Sequence, residues 1–206
     1  LFGHIGLDVT GYDLLVMIDI FSRYVPGWVV VDIHDGAVVK AWIDQVVAAQ
    51  GGVAAGTPTI PSDRGSPMTS KPVAVLLADL RIGQTHSRPH VSNDNPFSEA
   101  AFKTFKYCPA FPERFGCLAD ARAFADAFFE HYNHEHRHSG IGLHSPASVH
   151  FGTAAGVRAE RAKGLDAAYA APPERCANKA PVPPPLPAAA GPHNHPHPER
   201  APHKDT

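Results

Sequence analysis

Cysteine is scarce in this sequence. Cys108, Cys117 and Cys176 show no CxxC spacing, and their odd number argues against a disulfide framework. A reducing compartment is the simpler reading. An excess of positive charge is lacking too. The chain sets 18 Lys and Arg against 20 Asp and Glu, a formal net charge of −2. That speaks against a generic electrostatic nucleic-acid binder and leaves room for a local basic face. No apolar run reaches the roughly 18 residues of a membrane-spanning helix. The chain opens on Leu1 with no signal-peptide pattern behind it, and reads as a piece that begins in mid-protein. Neither a Gly-rich phosphate loop nor a nucleophile elbow is present, so two common sources of catalytic chemistry are missing.

Proline, by contrast, is plentiful and unevenly placed. Of 21 prolines many fall after residue 172, in "PPERCANKAPVPPPLPAAAGPHNHPHPERAPHKDT". This stretch has almost no aliphatic periodicity, so burial cannot offset its ordering entropy, and it reads as a disordered or extended Pro/His-rich tail. The folded unit is expected over residues 1–155, with a short helix over "VRAERAKGLDAAYA" before the tail.

Within the first 155 residues the hydrophobic pattern changes period. "LFGHIGLDVT", "YDLLVMIDIFS" and "RYVPGWVVVDI" read as three successive strands of an antiparallel meander, with a tight turn around Thr10 and Gly11. "DGAVVKAWIDQVVAAQGG" switches to helical spacing. Val38, Val39, Trp42, Val46 and Val47 share a face, Asp35 is the expected N-cap and Gly51 the stop. "TPTIPSD" reads as a short buried strand ending at Asp63, "SKPVAVLLADLRI" as a helix and "QTHS" as another short strand. Asn95 followed by Pro96 is a helix start. "LADARAFADAFFEHYNHEH" is an amphipathic helix with Phe124, Phe128 and Phe129 inward. Strands in a meander followed by alternating helices and strands imply an α/β fold: a mixed sheet covered by helices on both faces.

Three acids stand where elements end or begin. Asp8 closes the first strand, Asp63 ends the strand after the first helix, and Glu99 lies in the first turn of the Asn95-capped helix. Ligands gather at the carboxyl ends of parallel strands, so Asp8 and Asp63 meet if their strands are neighbours. Carboxylates without His or Cys suit hard divalent ions such as Mg²⁺. Lys103 and Lys106 follow Glu99 by four and seven residues and share its helix face. On these features alone, a turn aspartate and scattered surface acids are the better readings, and a solvated lysine face is at least as good a one.

The order of the blocks adds a resemblance. "GLDVT", "IDIFSRYVPGW", "SDRGSPMTSKPVA", "THSRPHVSNDNPFSEAAFKTFK" and "FFEHYNHEHRHSGIGLHSPASVHFG" follow one another as in the integrase-type catalytic core of bacterial insertion-sequence transposases, the kind encoded as the second of two overlapping frames. Retroviral integrases are more distant relatives. The resemblance covers roughly residues 5 to 175. It implies a ribonuclease H-like fold and an Asp-Asp-Glu triad holding two Mg²⁺ or Mn²⁺ ions. In that family the last two acids are often separated by 35 residues. Residues 64 to 98 number 35 here, so Asp63 and Glu99 match, and Asp8 matches the first acid by its local motif. Asp19, in "VMIDIFSR", falls where many members carry a structural aspartate.

The resemblance further implies cleavage of DNA at an element end, then attack of the freed 3′-hydroxyl on target DNA. Lys103, Lys106, Arg137 and His138 become candidate DNA contacts. The expected partners are DNA (element ends and target) and further copies of the chain on it, with a cytoplasmic, nucleoid-associated location and no membrane. The chain departs from the family in four ways. The turn after Asp8 is short. Pro61 replaces a polar residue two before the second acid. His131 replaces an aromatic in the "FFxWYN" pattern. The preceding helix-turn-helix region is missing, which marks the chain as an N-terminally truncated transposase. The alternatives are a decayed, inactive DNA-binding remnant and a His-rich Zn²⁺ protein, in which His134 and His138, one helical turn apart, or the tail's His193, His195, His197 and His203 hold the metal.

Overall fold

Leu14 to Ile18 is an unbroken apolar run because its strand is buried on both faces. The computed structural model describes residues 2–8, 11–32, 35–50, 59–62, 71–79, 83–86, 96–171 and 179–186. Its strands are β1 (Phe2–Asp8), β2 (Asp13–Asp19), β3 (Gly27–Val31), β4 (Thr59–Ser62) and β5 (Gly83–His86). They form one sheet in the order β3-β2-β1-β4-β5. β1 to β3 make the expected antiparallel meander, and β4 joins β1 in parallel, as does β5 to β4. Gly11 turns the first hairpin at φ +101°, a conformation open to glycine.

Helices α1 (Gly36–Ala49), α2 (Lys71–Asp79), α3 (Pro96–Lys106) and α4 (Leu118–His134) cover this sheet. Alternate residues of β2 feed two cores. Leu14, Val16 and Ile18 pack with Phe102, Phe105, Ala125, Phe129 and Tyr132 of α3 and α4. Leu15 and Met17 pack with Val39, Trp42, Ile43 and Val46 of α1 and Leu77 of α2. The layer of helices on each face is the expected ribonuclease H-like arrangement.

Local signals explain most boundaries. The Asp35 carboxylate accepts the Ala37 N–H at 2.9 Å and caps α1. Pro96 opens α3, where its missing N–H costs nothing. The buried face of α1 is rotated from the expected one: Ile43 replaces Val38, which is 41% exposed. Gly27 leaves room for Val46 of α1 against β3, since a Cβ there would clash with Val46 Cγ2. Phe105 gathers Phe111, Phe124, Phe128 and Phe129 around it, with ring centroids 4.8 to 5.6 Å away. Of the inward trio, Phe129 is buried, while Phe124 and Phe128 pack on the rim of the core.

α4 leads through a single 3₁₀ turn (Ser139–Ile141) to the short α5 (Pro146–His150) and then α6 (Ala154–Ala170), which includes the segment expected as a short helix. Only Ala154 of α6 is fully buried. Arginines hold the helix instead. Arg161 donates to the Gly142 and Leu143 carbonyls at 3.3 and 2.7 Å. Arg158 donates to the Pro184 and Pro183 carbonyls at 3.1 and 3.3 Å. Residues 183 and 184 of the Pro-rich stretch are therefore tied to α6, and Pro183 is buried. The tail histidines lie outside the described residues. Among the described residues no helix is long and apolar enough to cross a membrane.

Candidate active site

The parallel pairing of β1 with β4 points the carboxyl ends of both strands the same way. His4 is the ladder partner of Ser62. β4 ends at Ser62, one residue before Asp63 in the sequence. Asp63 itself lies outside the described residues. Asp8 is the last residue of β1 and pairs across the hairpin with Asp13. It stands four residues past His4, about 13 Å along the strand at the usual rise. The short hairpin after Asp8 thus extends β1 well beyond the level where β4 ends.

α3 packs against β1. Glu99 sits in its first turn and is exposed, as are Lys103 and Lys106. Spacings of four and seven residues put all three on one helix face. Neither lysine nor Glu99 is paired among the described residues. The buried stripe of the helix, Ala101, Phe102 and Phe105, fixes which face is left outward.

Asp19 has a different job. Its Oδ1 accepts the Phe21 N–H at 3.1 Å and its Oδ2 accepts the Ser22 hydroxyl at 2.5 Å. His150 Nδ1 lies 3.2 Å from Oδ2, an oxygen that can only accept, so Nδ1 carries the hydrogen. His150 Nε2 is then an acceptor and takes a hydrogen bond from the Gln50 side-chain amide, 3.2 Å away with the amide turned to present its N–H, and the imidazole stacks on Tyr24 at 4.3 Å. Burial pushes the Asp19 carboxyl up, but the hydrogen bonds from His150, Ser22 and Phe21 outweigh it and hold the group below the usual carboxylate range. Asp19 therefore knots the β2–β3 turn to α5 and to the end of α1, which accounts for it as a structural acid.

The histidine-rich segment separates into distinct roles. α4 ends at His134, so His134 and His138 are not one helical turn apart. His134 faces Glu130 at 3.7 Å and His131 faces Glu135 at 3.5 Å, both on the exposed surface. His138 Nδ1 accepts the Gly140 N–H at 3.1 Å. Burial, with Arg23 and His136 nearby, lowers the His138 pKa to about 4. It is neutral at pH 7 and its Nδ1 is spent on the loop, so it brings no positive charge to DNA. Arg137 is exposed and lines the groove beside Leu143, Arg161 and Pro183. Among the described residues no group of three or more His, Cys, Asp or Glu is placed to hold a metal ion, which leaves the zinc reading without a described cluster.

Two residues of the quoted blocks make structural contacts, and Asn133, a candidate contact to DNA or the carboxylates from its place in the "FFxWYN" pattern, is buried instead. Asn133 is 2% exposed; its Oδ1 accepts the Val25 N–H and its Nδ2 donates to the Val25 carbonyl, both at 2.9 Å. Arg23 takes a left-handed φ of +64° and lays its guanidinium over the Phe97 ring at 3.7 Å. A buried Asn late in an amphipathic helix was a legible irregularity. The Arg23 stack spans distant sequence and had no such signal.

Two family profiles, both described as integrase core domain, match residues 2–92 and 80–146. The chain belongs to the integrase core family. Together the matches run from β1 to the start of α5, so they include Asp8, Asp63 and Glu99. Among solved structures the integrase core chain is similar to the catalytic core domain of BIV integrase, with a TM-score of 0.57 and 18% identity over 74% of this chain and 93% of that one. At that identity the likeness speaks to the fold, which is the mixed sheet derived above. No curated protein matches the sequence. Membership of the family gives the chain a general role in DNA integration or transposition, with DNA as its partner.

Proposed function

We propose that this integrase core cuts DNA at an element end and joins the freed 3′-hydroxyl to target DNA, using Asp8, Asp63 and Glu99 as an Asp-Asp-Glu triad. One observation carries the reading. β4 runs parallel beside β1 and ends at Ser62, the residue before Asp63, and α3, which packs on β1, carries Glu99 in its first turn. Asp8 stands about 13 Å farther along β1, at the hairpin end of the sheet, and enters the triad on its sequence motif.

The donor chemistry fits a hard divalent cation. All three candidates are carboxylates, and Glu99 is exposed with no partner among the described residues. Asp8, Asp63 and Glu99 would hold two Mg²⁺ or Mn²⁺ ions, which when bound supply activation of the attacking oxygen and charge stabilisation at the leaving one. Lys103 and Lys106 lie along the DNA backbone beside Glu99, and Arg137 adds a cation on the α6 side. His138 serves this surface by shaping the loop that carries Arg137. With a net charge of −2 the chain leans on these few cations, so binding is weak, salt-sensitive and indifferent to sequence. The active form is an oligomer on DNA in the bacterial cytoplasm.

A strand-transfer assay on short duplexes with Mn²⁺ tests the reading. Nicking or joining is expected, equal for matched and scrambled ends, and absent in Asp63→Asn and Glu99→Gln. Activity retained by either variant refutes the triad. Strong preference for one end refutes the missing specificity.

A further inference from the structure

We propose that Arg23 is a positioning residue, whose guanidinium clamps the first turn of α3 through Phe97 and so fixes the direction of Glu99. The inference rests on the reading of Glu99 as a metal ligand. Arg23 lies in the β2–β3 turn, where its N–H donates to the Asp19 carbonyl at 2.7 Å. Its φ of +64° is a conformation that glycine adopts freely and that a side chain makes costly. A turn with only a geometric task would carry glycine or asparagine here.

The guanidinium is just as poorly served by ordinary partners. Nε and Nη1 are sealed from solvent and have no hydrogen-bond partner among the described residues. The Asp19 carboxylate is close enough to favour the charged guanidinium but is already engaged by Phe21, Ser22 and His150. Tyr132 is also near, but burial raises its hydroxyl to about 12, so it is neutral and cannot balance the charge. What remains is the face of Phe97, whose negative π-cloud attracts a cation. Phe97 is the second residue of α3, two before Glu99. The backbone there is least constrained, since the first N–H groups of a helix have no intrahelical acceptor. A clamp on Phe97 therefore orders the turn that most needs it. It also links that turn to the Asp19 knot, and through it to α5 and α1.

The test uses the full chain with Arg23→Gly, Arg23→Lys, Phe97→Leu and Glu99→Gln. Arg23→Gly relieves the backbone strain, Arg23→Lys keeps the charge without the planar stack, and Phe97→Leu keeps bulk without the π-face. Hydrogen exchange is read at Ala100, Ala101 and Phe102, whose amides close the first turn, with Ala125 and Phe129 in α4 as controls. Mn²⁺ affinity is measured in parallel. We expect exchange at the first turn to speed up about tenfold in the Arg23 and Phe97 variants with the α4 amides unchanged. Mn²⁺ affinity should fall about fivefold, and no further in the Arg23→Lys/Phe97→Leu double variant, because the two residues act as one unit. Unchanged exchange in Arg23→Gly overturns the clamp. Loosened exchange with unchanged Mn²⁺ affinity overturns its link to Glu99. If Glu99→Gln itself binds Mn²⁺ normally, the assignment of Glu99 fails and the positioning role fails with it, whatever the exchange data show.

Discussion

Asn133→Ala should be among the more damaging single substitutions outside the hydrophobic core. The Asn133 amide acts as a piece of β-ladder for Val25, donating to its carbonyl and accepting its N–H at 2.9 Å each. Val25 is fully buried, so water cannot replace either bond. Leaving a buried backbone donor or acceptor unpaired costs about 1–3 kcal/mol each. Two such groups together cost roughly 3 kcal/mol, taking the lower half of that range. For a chain of this size, 1 kcal/mol moves the melting temperature by about 2–4 °C, so a fall of about 6–12 °C is expected by circular dichroism or calorimetry. Asn133→Asp sharpens the test. A carboxylate still accepts the N–H but turns a second acceptor on the Val25 carbonyl. It should therefore be worse than alanine at pH 7 and recover in part at low pH, where the protonated acid can donate again. A melting temperature within about 2 °C of the parent for Asn133→Ala would show that the loop finds other partners and would refute the argument.

Further outcomes follow from the packing and the titrating groups. Gly27→Ala should destabilise by about 1–3 kcal/mol, because its Cβ would clash with Val46 Cγ2, and Val46→Ala should restore much of the loss in a thermal melt. The His138 pKa is lower in the folded than in the unfolded chain, so the unfolded state binds the extra proton first. Stability should be complete above about pH 6.5 and fall as the pH drops from there toward 4, and His138→Asn should flatten that part of the profile in urea titrations. Asp19 acts at lower pH: its folded carboxyl is depressed, so its contribution is present above the ordinary carboxylate range and is lost on acidification below it. Arg158→Ala removes both donors to the Pro183 and Pro184 carbonyls and should speed limited proteolysis near residues 181–186 while leaving that of α1 unchanged.

The parts legible in the sequence are those set by local pattern. The Leu14–Ile18 run announced a strand buried on both faces, and Pro96 announced the start of α3. The place of Asp8 at the end of β1 followed from where its apolar run stops. Val38 misled because it lies one helical position off the buried face, and only the approach of α1 to β3 at Gly27 decides which valines turn inward. The Asp19–His150 contact joins residues 131 apart in sequence, beyond any local signal. The Pro-rich stretch looked featureless because composition does not show that two of its carbonyls meet Arg158. Arg23 was silent for the same reason, since neither its left-handed backbone nor its stack on Phe97 is written in neighbouring residues.

The most direct test of the central claim is Mn²⁺ binding measured by calorimetry on the parent chain and on Asp8→Asn, Asp63→Asn and Glu99→Gln. The account predicts that the parent binds Mn²⁺ and gains thermal stability from it, because a ligand specific for the folded state adds to that state's stability. Each substitution should remove most of the binding heat and of the thermal gain, while the melting temperature without metal stays near that of the parent. Binding that survives in Asp63→Asn and Glu99→Gln would place the ions elsewhere and contradict the triad.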